Sequence, residues 1–395
     1  MAAATSDVDA MPVTGSPDGP YADDLAGYRA DLQVFLAQPL FDRWRNLYVE
    51  DVPGEMAETA AMIGELYAGG FGRYGFPSSA GGLGGDVRHC AVLFDELSAA
   101  GLPATGQYGL LTTLGAPVVR FAPELAAKYL PEFLSGRAWW GQGFSEPEAG
   151  SDLAALRCRA TPVDGGYRLS GSKLWTSHGA TATRLVCLVR TGTQESRHRG
   201  LTMVMIDADA PGVTVRPVLL ASGRAELAEC FFDDVMVTPE RLVGEEGQGW
   251  AVAMFLLQYE RAVYAWQRAS ALMQRLRVLA GQVETSETAE RLIGSVYLDL
   301  LALRARSVVT IRRLAAGQTV GPEASADKLL LGAAEQSVMN AARTLLGPAF
   351  AAGGDAEVAR WREEWWFSRT TTIYGGSAEV QRGIIADRVL QLPKP

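Results

Sequence analysis

The sequence predicts an α+β protein of three parts: an N-terminal helical domain, a central antiparallel β-barrel domain and a C-terminal four-helix bundle. Three observations carry that expectation. Apolar residues recur at three- and four-residue spacing up to about residue 137. Short β-rich runs punctuated by turn residues fill 138–243. Helical spacing then returns and holds to the end. With 395 residues, 48% of them hydrophobic, the chain can bury a large core without disulfides or a structural metal.

Residues 1–20 are small, polar and Pro/Gly-rich, and read as a disordered tail. The domain over 21–137 follows, with helical patterning at 22–38, 55–69 and 88–100 and a glycine-rich loop at 69–86. Strands are expected at 167–177, 184–191, 201–209, 212–220 and 230–237. No helical segment separates them, which argues for an antiparallel sheet. From 244 to 395, amphipathic stretches cover 249–281, 287–316, 323–346 and 355–368, with a last helix from about Ala378; short connections suit an antiparallel bundle.

Charge and composition remove several function classes. Thirty-six Lys+Arg against 45 Asp+Glu give −9 with no basic block, so the footprint of a nucleic-acid binder is missing. No apolar run reaches the roughly 18 residues of a membrane span, and the N-terminus has no signal-like segment. Four cysteines (Cys90, Cys158, Cys187, Cys230) lie far apart, and only three histidines accompany them, which argues against a bound metal. The expectation is a cytoplasmic, acidic enzyme or binding protein whose redox cofactor, if it has one, is organic. Gly70–Gly75 matches the dinucleotide fingerprint GxGxxG, but a helix precedes it and Pro77 follows. It reads as a connector.

The strongest local signal is Gly143-Phe144-Ser145-Glu146-Pro147-Glu148-Ala149-Gly150-Ser151-Asp152, followed by Lys173-Leu174-Trp175-Thr176-Ser177. Gly150 and Ser151 let backbone N–H groups and a hydroxyl come close to a phosphate or amide. Trp175 between polar neighbours offers a flat face for a fused aromatic ring. Taken one at a time, these read more readily as a plain turn and a core tryptophan.

Together with Val243–Trp250 (VGEEGQGW) and Ile373–Arg382 (IYGGSAEVQR), these segments resemble the acyl-CoA dehydrogenase family, flavoproteins built as helical domain, β-domain and bundle. The resemblance implies FAD held mainly at the β-domain. Gln142, Phe144 and Ser145 would line the flavin, Ser151 would lie near the pyrophosphate and pantetheine, Trp175 would stand beside the ring and Ser177 would bond its N5 edge. Gly376, Ser377 and Glu379 would complete the site at the entry to the last helix. Tyr374 and Arg261 fall at substrate positions, and a backbone N–H at Gly375 would polarise the thioester carbonyl.

Many family members carry their catalytic glutamate directly after the tyrosine of the IY-x-G motif, where this chain has Gly375. A second branch, with the isovaleryl and long-chain enzymes, carries it on a bundle helix before an arginine, as in Gln258-Tyr259-Glu260-Arg261. Apart from any family, Glu260 has Leu256, Leu257, Val263 and Tyr264 at helical neighbour spacing, so it lies on an apolar stripe. Desolvation there would raise its pKa, which suits proton abstraction; the plainer alternative is a solvated or arginine-paired glutamate. Two departures stand out. The family's Arg-x-x-Phe-Gly segment is replaced at 281–288, and its His-Gly-Gly by Leu345–Ala349. Losing that arginine contact predicts weakened FAD binding.

The resulting expectation is dehydrogenation of an acyl-CoA or acyl-carrier-protein thioester to the trans-2-enoyl product. Glu260 would be the base, flavin N5 the hydride acceptor, and an electron-transfer flavoprotein or oxygen the final acceptor. The protein would be a homo-oligomer, tetramer or dimer, with a hetero-oligomer possible. The rival readings are a non-catalytic partner subunit, a flavin monooxygenase on the same fold, and a binding scaffold.

Overall fold

The computed structural model describes residues 18–103 and 106–393. Most of the stretch read as a tail, residues 1–17, lies outside that range. At its edge the Gly19 N–H donates to the Leu83 carbonyl at 2.8 Å. Five helices follow: α1 (Leu25–Leu36), α2 (Val52–Ala68), α3 (Val87–Ala99), α4 (Gly106–Phe121) and α5 (Pro123–Leu134). Asp24, Asp51 and Asp86 begin the first three by accepting from backbone N–H groups of the first turn. The Gly70–Gly75 segment follows α2 and makes a short 3₁₀ turn at Phe71–Arg73.

The sheet has seven strands: β1 (Trp140–Gly143), β2 (Arg159–Val163), β3 (Gly166–Ser177), β4 (Arg184–Arg190), β5 (Leu201–Asp207), β6 (Val213–Val218) and β7 (Leu227–Val237). Their order is β1-β4-β2-β3-β7-β6, with β5 also on β4. Four pairings are antiparallel, as expected, but β1 runs parallel to β4, and β2 touches β4 in parallel register at one residue pair. The physical reason lies in the connection. The β2–β3 hairpin stands between β1 and β4, and a crossover of that length lets the chain return in the same direction. β4 and β5 are buried on both faces. Val186, Leu188, Met203 and Met205 meet the core shared with the N-terminal helices, while Leu185, Cys187, Val204 and Ile206 fill the core inside the curled sheet.

The C-terminal part consists of α6 (Gly249–Tyr259), α7 (Ala265–Gln282), α8 (Glu287–Ala315), α9 (Ser325–Leu346), α10 (Pro348–Ala352), α11 (Ala356–Ser368) and α12 (Ala378–Ile384). The stretch read as one helix over 249–281 is interrupted. Glu260–Tyr264 forms a π turn between α6 and α7. Trp361 is fully buried in the bundle core, its ring under the Arg275 guanidinium at 3.6 Å, and Trp365 donates to Asn340 at 3.0 Å. Of the α11 indoles Trp361, Trp365 and Trp366, only Trp366 is exposed. Among the described residues no helix is long and apolar enough to cross a membrane.

Candidate active site

The β-domain half of the site is built on a buried ion pair. Lys173 Nζ lies 2.7 Å from Glu146 Oε1 and also donates to the Phe144 carbonyl at 3.2 Å. Glu146 accepts the backbone N–H groups of Arg157 and Cys158 at 2.6 and 2.9 Å, so every strong acceptor in the pair is satisfied. The Leu174 N–H donates to the Ser145 carbonyl at 2.9 Å, tying the 144–149 segment onto β3. Phe144 turns its ring into the core, leaving that segment its backbone to offer. Beyond the pinned turn, Gly150 and Ser151 are exposed, and a Cβ at Gly150 would meet nothing within 4 Å.

Trp175 is the anomaly of β3. Its φ is +65°, in the left-handed region that a bulky residue rarely adopts, and the pairing with β7 shifts register between Lys173 and Thr176. The bulge puts Thr176 in the interior and leaves the indole 52% exposed. Trp175 is therefore no core tryptophan. Ser177 ends the strand, half-buried, and His178 follows with φ +50°. Burial, with Arg224 nearby, pushes the His178 imidazole down to about 4, so it is neutral at physiological pH.

The helical half converges on Glu260. The π turn begins at this residue, and π turns recur at functional sites because the extra residue re-aims side chains. The carboxyl is raised from its ordinary value by burial, against the pull of Arg261 and Lys328 and a hydrogen bond from Gln142. Its Oε2 is buried without a hydrogen-bond partner. Gly375, at φ +65°, faces it directly: a Cβ there would lie 2.8 Å from Glu260 Oε1 and 3.2 Å from Lys328 Cε. Any side chain at 375 would thus occupy the carboxyl's place.

The remaining residues spread out around this centre. Tyr374 lies against Tyr264, hydroxyl to hydroxyl at 3.4 Å, with Lys328 Nζ 4.1 Å from its ring. Arg261 is half-buried beside Glu260; burial lowers its pKa, and its Nε has no partner. Gln381 Nε2 donates to the Gly375 carbonyl at 3.0 Å and fixes the Gly375-Gly376 turn, while Ser377 caps α12 by accepting from Val380 N–H at 3.3 Å. Glu379 points to solvent, 3.7 Å from Arg382.

Two groups at this site escaped the sequence reading. Lys328 is buried on α9, donates to the Thr371 carbonyl, and is pushed down to about 8 by burial. The available clue was a lysine followed by Leu329, Leu330 and Leu331 in a helix that has to bury that face. The Glu146–Lys173 pair left no local trace, because its members meet only through tertiary structure. Among the described residues, no group of three or more His, Cys, Asp or Glu side chains is placed to hold a metal ion.

Comparison with known proteins identifies the family. Family models for the acyl-CoA dehydrogenase N-terminal, middle and C-terminal domains match residues 29–137, 141–235 and 247–390. The chain is 31% identical over 382 residues to acyl-CoA dehydrogenase IpdE1 of Mycobacterium tuberculosis, covering 94% of this chain and 98% of that protein. It is 32% identical over 223 residues to the mitochondrial isovaleryl-CoA dehydrogenase of Oryza sativa, 55% of this chain and 54% of that one. The solved Tcur3481-Tcur3483 steroid ACAD superposes with a TM-score of 0.80 at 25% identity, over 94% of this chain and 98% of its own. With all three domain models matched in order, and a relative aligned over nearly its whole length, the chain belongs to the acyl-CoA dehydrogenase family.

Proposed function

We propose that this protein removes hydrogen across the α and β carbons of an acyl thioester, with Glu260 as the base. The observation that carries the reading is the steric exclusion at Gly375, whose missing side chain leaves room for a buried, partly unpartnered carboxyl arriving from the bundle helix. Members of the family are FAD-dependent oxidoreductases acting on CH–CH bonds, and bound FAD supplies the hydride acceptor. The β-domain fits such a group. The exposed indole of Trp175 offers a flat wall, Ser177 a hydroxyl at its edge, and the open turn at Gly150-Ser151 room for a phosphate. Where the family carries an arginine, residues 281–288 have none, so that end of the cofactor is held less firmly.

Glu260 takes the α-proton. Burial raises its basicity, while Arg261 and Lys328 keep enough of it ionised to act. The Gly375 N–H, held by the Gln381 clamp on its turn, supports the carbonyl oxygen as charge develops there. Arg261 and Ser151 attend the carrier portion, whether coenzyme A or carrier protein. An electron-transfer flavoprotein or oxygen takes the electrons away. A bulky or branched acyl group is in keeping with the steroid named for one structural relative. Cytoplasmic operation accords with four buried free thiols.

The test is anaerobic flavin reduction by a panel of acyl thioesters in wild type and Glu260→Gln. Reduction is expected to fall by about 10²-fold or more in the variant, with FAD content unchanged. Equal rates would remove Glu260 from the mechanism. A second reading, a subunit that completes its cofactor site only with a different partner chain, draws on the arginine-free 281–288 segment. Under that reading the isolated protein stays colourless in excess FAD; under ours it takes up FAD and loses part of it on gel filtration.

A further inference from the structure

The base and the hydride acceptor belong to different parts of the molecule. Glu260 opens the π turn of the helical half, whereas Ser177, the hydroxyl at the flavin edge, ends β3 in the β-domain. The two sides do not pack solidly against each other. His178, directly after Ser177, and Tyr264, the last residue of the π turn, both line a cavity of about 260 Å³. Helix α4 meets them through glycines: a Cβ at Gly106 would lie 3.3 Å from His178 Nε2, and one at Gly109 would lie 2.9 Å from the Tyr264 ring. Neither glycine has a side chain with which to hold a wall in place.

Across a gap, spacing has to be held from the rim, and Arg224 is placed to hold it. It stands in the β6–β7 connection, 7% exposed, and lines the same cavity. Its guanidinium reaches all three parts of the chain. In the N-terminal part, Nη1 donates to the Val49 and Glu50 carbonyls at 2.8 and 3.0 Å, and Nη2 meets Glu55 on α2. In the bundle, Nη1 lies 3.4 Å from Glu363 on α11, which also accepts from the Tyr48 hydroxyl at 2.7 Å. In its own loop, Nε donates to the Glu226 carboxylate at 3.1 Å. The Glu226 carbonyl in turn accepts the His178 N–H at 2.7 Å, and Leu227 pairs with Ser177 in the β3–β7 ladder. A brace therefore runs from both helical parts, through Arg224 and Glu226, to the end of β3. A planar fork of five donors serves acceptors in several directions at once, which the compact ammonium of a lysine does not.

We propose that Arg224 is a positioning residue that sets the distance between the Glu260 carboxyl and the hydride-accepting edge of the flavin. It acts through Ser177 and His178 rather than on the reacting atoms. The proposal rests on the dehydrogenase reading of the site. Dehydrogenation takes the α-proton and the β-hydride from one substrate. A shift of about an ångström in one receiving group costs about 10²-fold in its own transfer, even where the other group stays in place. Loosening the brace should thus separate the two events, with the α-proton still leaving and the hydride failing to follow.

The test uses FAD-loaded full-length protein, wild type and Arg224→Lys. The variant keeps the charge that compensates Glu55, Glu226 and Glu363 and removes the fork. Hydride transfer is read as anaerobic flavin reduction by the acyl-CoA that reduces wild type fastest. Proton abstraction is read with the analogue of that thioester carrying sulfur in place of its β carbon. This analogue has no β-hydride to give, so exchange of its α-protons in D2O reports the base alone. Arg224→Lys is expected to lose about 10²-fold in flavin reduction and to keep α-proton exchange within about threefold of wild type. Backbone amides over 175–182 should exchange about 10-fold faster in the variant, read by mass spectrometry without substrate. Glu363→Gln, which loosens only the bundle end, should show the same pattern more weakly, and it decides alone if Arg224→Lys does not fold. Undiminished reduction, an equal fall in both transfers or unchanged amide exchange would assign Arg224 to the fold alone. Any of these overturns the proposal and leaves the dehydrogenase reading standing. A wild type that reduces no flavin, or exchanges no α-protons, overturns the reading with Glu260 as base and the proposal with it.

Discussion

A carboxylate that pulls a proton from carbon has to be ionised when the substrate arrives, and burial works against that. Below the raised pKa of Glu260 the base is protonated and idle, so kcat/KM should climb as pH rises through that value. Lys328 is one of the charges that hold the value down. Lys328→Met should therefore move the rising limb to higher pH, and a pH profile of flavin reduction checks it; an unmoved limb would reduce Lys328 to packing. Gly375→Ala makes a sharper test. A Cβ 2.8 Å from Glu260 Oε1 pushes the carboxyl aside, and φ +65° adds about 1–2 kcal/mol of backbone strain. Turnover should drop by roughly 10²-fold, as it does when a reacting group is displaced by about an ångström, while a thermal melt shows the protein still folded. The burial of the Glu260 carboxyl was legible in the sequence because its apolar neighbours lie on its own helix. Lys328 was not, since pairing between two helices leaves no periodic mark.

The bulge in β3 sets the terms for the flat wall of the site. It holds Trp175 in a conformation that stores strain and leaves about half of the residue exposed. Trp175→Gly should raise the stability of the cofactor-free protein by about 1 kcal/mol, read as a higher denaturant midpoint, and weaken FAD binding in a titration. A variant that loses stability without FAD would show that the indole packs for the fold's own sake. Strands β3 to β7 were legible through their β-rich runs and turn residues, whereas β2 was not singled out. β1 was not, because Trp-Gly-Gln-Gly has too few branched residues to read as a strand, and its parallel pairing depends on a distant partner. The π turn was invisible for the opposite reason: apolar spacing continues through it, so the sequence from 249 to 281 reads as one unbroken helix.

For the molecule as a whole, one unpartnered apolar surface lies on α8. Leu298, Leu301 and Tyr297 are exposed there, beside a groove lined by Met273, Leu276 and Ile293. Such a face favours association. Light scattering should find a tetramer or a dimer, and Leu298→Glu with Leu301→Glu should shift it toward monomer; a wild-type monomer at every concentration would contradict the assembly. The indoles of α11 add little to that surface, since Trp361 is fully buried and only Trp366 is exposed. The rod of α6, π turn and α7 also crosses from one hydrophobic core to the next. Val263 belongs to the core shared by the N-terminal helices and the sheet, while Ala265 belongs to the core of the bundle. The π turn is thus the seam between two units that could open separately. A molecule clasped there ties their melting together, so saturating thioester should merge two calorimetric transitions into one and slow amide exchange on both sides of residue 264.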